Sequence, residues 1–228
     1  MLKAGLKETT RRGLRYIVDE RDRPITYQSW AGGLIAPLYD WSMARSVFPR
    51  LFEAEQDKHK CILTEALNGV QGQRVLEVGA GSGSAVEYLP RDNSYVGVDV
   101  SPALLKRASK AFARAGFDDV TLYVASGDNL PFADECFDLC LCVLTLNFVP
   151  DPAACLSEIS RVLAPRGRLL CAVPVPERIR SGRVVRGTLY VERELAQFCE
   201  ERGLRFEAIP ETNGALLYFQ ACADQEVR

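Results

Sequence analysis

The segment Val75-Leu76-Glu77-Val78-Gly79-Ala80-Gly81-Ser82-Gly83-Ser84 sets three alternate glycines behind an apolar run, with a carboxylate two residues before the first glycine. Glycine tolerates φ > 0 and close backbone approach, and a helix opening behind such a turn offers unpaired N–H groups to an anion. The turn can therefore hold the polar part of a small molecule. A second carboxylate, Asp99, ends the run Val96-Gly97-Val98, about twenty residues further on, the spacing of a ribose-binding acid in nucleotide folds. At a strand end it can accept hydrogen bonds from both hydroxyls of a ribose. Asp99 could instead cap a helix, but Ser101 before Pro102 is the more natural cap.

A dinucleotide fingerprint would require glycine or alanine at position 84, where this chain has Ser84. The pattern E-x-G-x-G-x-G resembles instead the first motif of the class I S-adenosylmethionine (SAM)-dependent methyltransferases. Ser126-Gly127-Asp128-Asn129-Leu130-Pro131-Phe132, followed by Phe137-Asp138, is similar to a later motif of that family. So is the run Leu144-Thr145-Leu146-Asn147-Phe148-Val149-Pro150-Asp151-Pro152 with Pro165-Arg166-Gly167 behind it. The resemblance covers about residues 75 to 173, more weakly the C-terminal hairpin, and implies SAM as cofactor. It places Gly79, Ala80, Gly81 and Gly83 under the cofactor, Asp99 and Val100 at its ribose, and Gly127, Asp128 and Asn129 at adenine. Asp128 would accept from the adenine amino group. Glu77 would shape the turn or contact the methionine amino group, Leu144 would supply a backbone contact, and Tyr39 would help cover the methyl donor.

These residues need strand ends at one sheet edge. The sequence predicts strands over 73–78, 94–99, 120–125, 137–143 and 167–173, alternating with helices over 84–89, 102–115, 152–163 and 191–202. Such alternation gives an α/β, doubly wound, mostly parallel sheet with helices on both faces. Segments 204–209 and 215–222 read as a closing hairpin. The family resemblance implies seven strands in the order 3-2-1-4-5-7-6, strand 7 antiparallel. Ahead of the sheet, residues 1–25 read as a polar, basic arm. An aromatic-rich stretch follows, with Tyr27, Trp30, Tyr39, Trp41 and Phe48, and then a helix from Pro49 to Leu67. The expected division is an arm and helical cap over 1–68 and a SAM-binding domain over 69–228, together one structural unit.

A 47% hydrophobic and 25% charged composition fits a folded globule, and a net charge of −2 gives no electrostatic case for nucleic-acid binding. No apolar run approaches a membrane span, and charged residues stand where a signal peptide would be apolar. A cytoplasmic protein is expected, or one peripheral to a membrane. The eight cysteines read as reduced core thiols, and Cys140 and Cys142 lack a partner set for a metal.

The expected acceptor is a small molecule or lipid. Arg178, Arg180, Arg183 and Arg186 form either a lid attracting an anionic acceptor or headgroup, or a solvated basic loop. No catalytic residue is assigned, since a base is needed only if the acceptor must lose a proton. The single histidine, His59, reads as a helix-face residue, while Tyr39 and Asn147 are substrate-side candidates. The alternatives are an NAD(P)-dependent oxidoreductase, disfavoured by Ser84 and the Asp128 motif, and a non-catalytic SAM-binding regulatory protein.

Overall fold

The computed structural model describes residues 1–27, 43–180, 182 and 184–223. Among the described residues nine strands form one sheet: β1 (Lys7–Arg11), β2 (Leu14–Val18), β3 (Arg74–Val78), β4 (Ser94–Asp99), β5 (Val120–Val124), β6 (Phe137–Val143), β7 (Leu163–Pro174), β8 (Leu204–Ala208) and β9 (Leu216–Ala223). Their order is β1-β2-β5-β4-β3-β6-β7-β9-β8. Strands β2 to β7 pair in parallel, and β9 runs antiparallel to both β7 and β8. The run β5-β4-β3-β6-β7-β9-β8 corresponds to 3-2-1-4-5-7-6 when counted from β3. The sheet nevertheless has nine strands rather than the expected seven.

The two additional strands come from residues expected as an arm. Arg12 and Gly13, both at positive φ, make a two-residue hairpin turn. Leu14 and Ile17 then enter the apolar layers on opposite faces of the sheet. The first residues are also fastened: the Lys3 amide donates to the Pro131 carbonyl at 2.9 Å, and its ammonium pairs with Glu158 at 3.0 Å.

Helices α1 (Gln56–Ala66) and α2 (Pro102–Ala115) cover one face, where Val75, Tyr95, Leu141 and Leu170 meet Leu63, Leu105 and Phe112. On the other face lie α3 (Pro152–Val162) and α4 (Glu192–Glu200), where Leu76, Val98 and Cys142 meet Leu156, Ile159 and Leu195. Period-two alternation along each strand divides its apolar side chains between these layers. Helix ends carry matching signals: the Ser101 and Asp151 side chains accept from the third amide beyond them, a proline follows each, and Gly116 closes α2 at φ 74.

Two helices differ from expectation. The run 49–67 is broken into a π-helical piece, Met43–Leu51, and α1. Between them Glu53 takes φ 52, and the Asn213-Gly214-Ala215 turn docks on the exposed carbonyls of the break. Ala215 N–H donates to the Phe52 carbonyl at 2.6 Å, and the Asn213 amide exchanges hydrogen bonds with both backbone groups of Glu55. The helix expected over 84–89 is only a 3-10 turn, Ser84–Glu87, ahead of Pro90. It therefore does not supply the array of free amides that a full helix start would offer an anion.

Candidate active site

Two cavities open side by side over the carboxyl ends of β3, β4 and β6. The larger, about 390 Å³, is bounded by Asp99, Val100, Leu104, Ser126, Gly127 and Phe148. The smaller, about 270 Å³, lies between the glycine turn and α1, with Gln56, His59 and Lys60 on its wall. Gly79, Gly81, Leu144 and Thr145 border both, so one ligand can run from one cavity into the other across the turn.

The three motif glycines are needed for different reasons. A Cβ on Gly79 would lie 2.1 Å from Thr145 Oγ1, and one on Gly83 would lie 2.8 Å from the Ala108 Cα. Both glycines therefore let neighbouring elements pack. A Cβ on Gly81, at φ 51, would meet only the Gly79 carbonyl oxygen at 3.8 Å. Gly81 alone of the three leaves backbone facing open space. Gly127 again serves packing, its missing Cβ being replaced by Val78.

Asp99 stands where the end of β4 meets the turn. Its Oδ2 accepts from the Gly81 amide at 2.9 Å and its Oδ1 from the Ser101 amide at 2.8 Å. Each oxygen retains a lone pair for a ligand hydroxyl. Burial raises its pKa against the opposing pull of these two amides. Ala80 packs into the core beneath the turn, and Val100 lines the larger cavity.

Glu77 lies below the ligand-facing surface. It is 2% exposed and borders neither cavity, and the Tyr95 and Tyr88 hydroxyls both donate to its carboxylate, the latter at 3.4 Å. Burial pushes its pKa up to about 8. Asp128 accepts from the Ser126 hydroxyl, and neither it nor Asn129 is among the residues bordering the larger cavity, whereas Ser126 and Gly127 are. Leu144 takes a left-handed φ of 55, its amide donating to the Ala172 carbonyl at 2.7 Å. That kink ends β6 and turns the chain across both cavities.

Asn147 is 2% exposed and acts as a brace. Its amide donates to the Arg186 carbonyl at 2.9 Å, while its backbone carbonyl accepts from the Thr188 amide at 2.8 Å. Within the basic segment, Arg178 donates to the Leu216 carbonyl at 2.7 Å and pairs with Glu192 at 3.5 Å. Tyr39, Trp30, Trp41 and Arg183 lie outside the described residues.

Sequence reasoning missed Thr145, Tyr27 and the polar face of α1. Thr145 donates from Oγ1 to the Val143 carbonyl at 3.1 Å and borders both cavities. Tyr27 closes the larger cavity near Ser126 and Asp128. Gln56, His59 and Lys60 have i, i+3, i+4 spacing, which places them on one helical face and was available as a signal. His59 is 5% exposed, and burial beside the Lys60 charge pushes its pKa down to about 4.

These groups fit SAM. Asp99 offers free lone pairs for ribose hydroxyls, Val100, Leu104 and Phe148 give apolar walls for a base, and Gly81 leaves room for a polar tail to cross the turn.

Residues 76–171 match the family model described as a methyltransferase domain. A demethylmenaquinone methyltransferase of Tropheryma whipplei (strain Twist) is 36% identical over 126 residues, 54% of this chain and 52% of that protein. A phthiotriol/phenolphthiotriol dimycocerosates methyltransferase of Mycobacterium ulcerans is 38% identical over 104 residues, 44% of this chain and 37% of that one. The chain thus spans about half the length, or less, of the curated relatives it matches. Among solved structures, a SAM-dependent methyltransferase from Aquifex aeolicus superposes with a TM-score of 0.65 at 20% identity, covering 82% of this chain and 98% of the other. The YcgJ protein of Bacillus subtilis gives 0.63 at 16%, covering 75% and 100%. Such low identities speak for the fold alone. Together with the motif spacing, the family match places residues 76–171 among methyltransferase domains, on the fold that the solved SAM-dependent methyltransferase also has.

Proposed function

We propose that this chain transfers a methyl group from SAM to a small-molecule or lipid acceptor. The observation that supports this reading is the pair of cavities that share Gly79, Gly81, Leu144 and Thr145 in their linings. Adenosine is assigned to the larger cavity, with its ribose on Asp99 and its base against Val100 and Gly127. The amino-acid tail crosses Gly81 toward α1. Asp128 and Asn129 stay in this proposal as residues drawn toward adenine, Glu77 as support beneath the turn, and Tyr39 as a cover from outside the described residues.

When bound, SAM supplies a methyl group already activated on a sulfonium. The chain's task is then to hold acceptor and donor in line and to exclude water, which can contribute of order 7 to 11 kcal/mol at most. The half-buried backbone of Gly79 and Gly81 and the Leu144 side chain at the shared span suit that task. The names of the relatives, which act on demethylmenaquinone and on phthiotriol dimycocerosates, support an acceptor of the small-molecule or lipid class. Among the described residues no helix is long and apolar enough to cross a membrane.

Calorimetric titration with S-adenosylhomocysteine (SAH) and with NAD tests the cofactor assignment. Binding of SAH and not NAD is expected, and the reverse would defeat it. Incubation with methyl-labelled SAM and a demethylated naphthoquinol then tests transfer.

A further inference from the structure

The wall that α1 presents to the smaller cavity carries the chain's single histidine, whose hydrogen bonds determine what it can do there. Glu55 N–H donates to Asn213 Oδ1 at 2.9 Å, and Asn213 Nδ2 donates to the Glu55 carbonyl at 3.0 Å. This pair of bonds fixes which end of the Asn213 amide is nitrogen. The remaining hydrogen on Asn213 Nδ2 is directed at the Tyr218 hydroxyl, 3.1 Å away. Tyr218 is fully buried, and His59 Nδ1, 2.8 Å from its hydroxyl, is the one neighbour among the described residues that can accept its proton. Nδ1 is thereby an acceptor, and the imidazole proton belongs on Nε2. Among the described residues no bond to Nε2 is formed, and the ring borders the cavity that Gly79 and Gly81 also line. Lys60 borders the same cavity, paired with Glu87 at 3.1 Å.

We propose that His59 presents a neutral Nε2–H donor to an anionic oxygen in this cavity, with Tyr218 and Asn213 as the positioning residues that fix its tautomer. The low imidazole pKa, about 4, agrees with a neutral ring, and burial pushes the Tyr218 hydroxyl up to about 12, so it keeps its proton. The inference rests on the methyltransferase reading for the identity of the oxygen. It comes from one of two sources: the α-carboxylate of the cofactor or the oxyanion of a hydroxylated acceptor.

Because there is one histidine, the full chain labelled with ¹⁵N-histidine reports this ring without ambiguity. At pH 7 without ligand, a protonated Nε2 and a bare Nδ1 are expected; a protonated Nδ1 or a charged ring would overturn the proposal. Tyr218→Phe should mix the tautomers while the protein stays folded by circular dichroism; an unchanged tautomer in that variant would remove Tyr218 from the mechanism. Addition of SAH that moves the Nε2–H signal assigns the cofactor carboxylate. Movement only when 1-naphthol is added to the SAH-saturated protein assigns an acceptor oxyanion. A signal indifferent to both overturns the donor role. His59→Ala should weaken whichever ligand moved the signal by about tenfold to a hundredfold, as expected for a hydrogen bond to a charged group, and His59→Gln should restore most of that. Equal losses in the two variants would also count against the donor. Failure of SAH to bind by calorimetry would strike at the SAM reading, whereas the tautomer in the free protein is judged without any ligand.

Discussion

The two cavities meet over one turn but are built in different ways. The larger is made by strand ends and the few residues after them: Asp99 and Val100 beyond β4, Ser126 and Gly127 beyond β5, Leu144 beyond β6. Each is placed by the local chain, and Asp99 is held by amides at positions 81 and 101. The smaller cavity depends on a helix whose start is fastened by Asn213, 158 residues away from Glu55, and whose His59 is oriented from β9. A strand-end site is specified by short motifs. A site set by distant hydrogen bonds leaves almost no local trace.

The largest effect expected in testing this difference comes from Asp99→Asn. Whichever way the amide turns, its NH₂ faces one of the two amides that the carboxylate now accepts from, and a ribose loses an ionised acceptor. SAH affinity should fall by about 4 kcal/mol, close to a thousandfold, measured by calorimetry. A loss below about tenfold would mean that the larger cavity is not the adenosine site.

Next in size is Glu77→Gln, which asks whether the motif's acid acts on the ligand or beneath the turn. Burial raises the Glu77 carboxyl in the folded protein to about 8, from the 4.5 of an exposed glutamate. A raised carboxyl pKa means that its contribution to stability is fully present below 4.5 and is lost as pH rises through about 8. His59, lowered to about 4 from 6.5, acts oppositely: its contribution is present above 6.5 and lost as pH falls through 4. The difference between variant and parent removes the histidine. Provided the glutamine amide keeps both tyrosine hydroxyls satisfied, the variant should gain on the parent as pH rises, by roughly 3 kcal/mol at pH 7 in urea unfolding. SAH affinity should change less than threefold. A large loss of affinity would instead put Glu77 in contact with the methionine amino group.

The same contrast explains what the sequence made legible. Strand–helix alternation, capping residues and the glycine turn are local patterns, so β3 to β9 and α2 to α4 could be located from residue types alone, with Asp99 at its strand end. The N-terminal hairpin was not legible because Arg12-Gly13 lacks the Asn-Gly or Asp-Gly signature of such turns, and because Leu14 and Ile17 face opposite layers rather than following one alternating stripe. The break at residues 52–55 was hidden for a different reason. Nothing in Phe52-Glu53-Ala54 forbids a helix; the docking of Asn213-Gly214-Ala215 makes the break favourable, and that is tertiary information. Glu77 shows the limit of motif matching, since its place in the pattern says nothing of the Tyr88 and Tyr95 hydroxyls that surround it.

Asn213→Ala tests the distant construction directly. Asn213 is 4% exposed and satisfies both backbone groups of Glu55. Its removal takes the partner from the half-buried Glu55 amide, while the Glu55 carbonyl keeps its bond from the His59 amide, and should cost about 1 kcal/mol in chemical unfolding. The Asp99 cavity should be disturbed less: the loss in SAH affinity should be well below that of Asp99→Asn. Equal losses would show that the two cavities are not separately built.

The smallest effect is expected at the span the cavities share, and there the glycines can be set against one another. Gly83→Ala pushes a Cβ to 2.8 Å from the Ala108 Cα, backbone that cannot yield cheaply, so it should lower the melting temperature whether or not a ligand is bound. Gly81→Ala meets no such obstacle. Its φ of 51 costs an alanine about 1 kcal/mol, and the added methyl occupies the space between the cavities. SAH affinity should therefore drop about tenfold while stability falls by only about 1 kcal/mol, a ratio that packing alone would not produce. If Gly81→Ala binds SAH as tightly as the parent, the cofactor's tail does not cross the turn at that point, and the two cavities hold separate ligands.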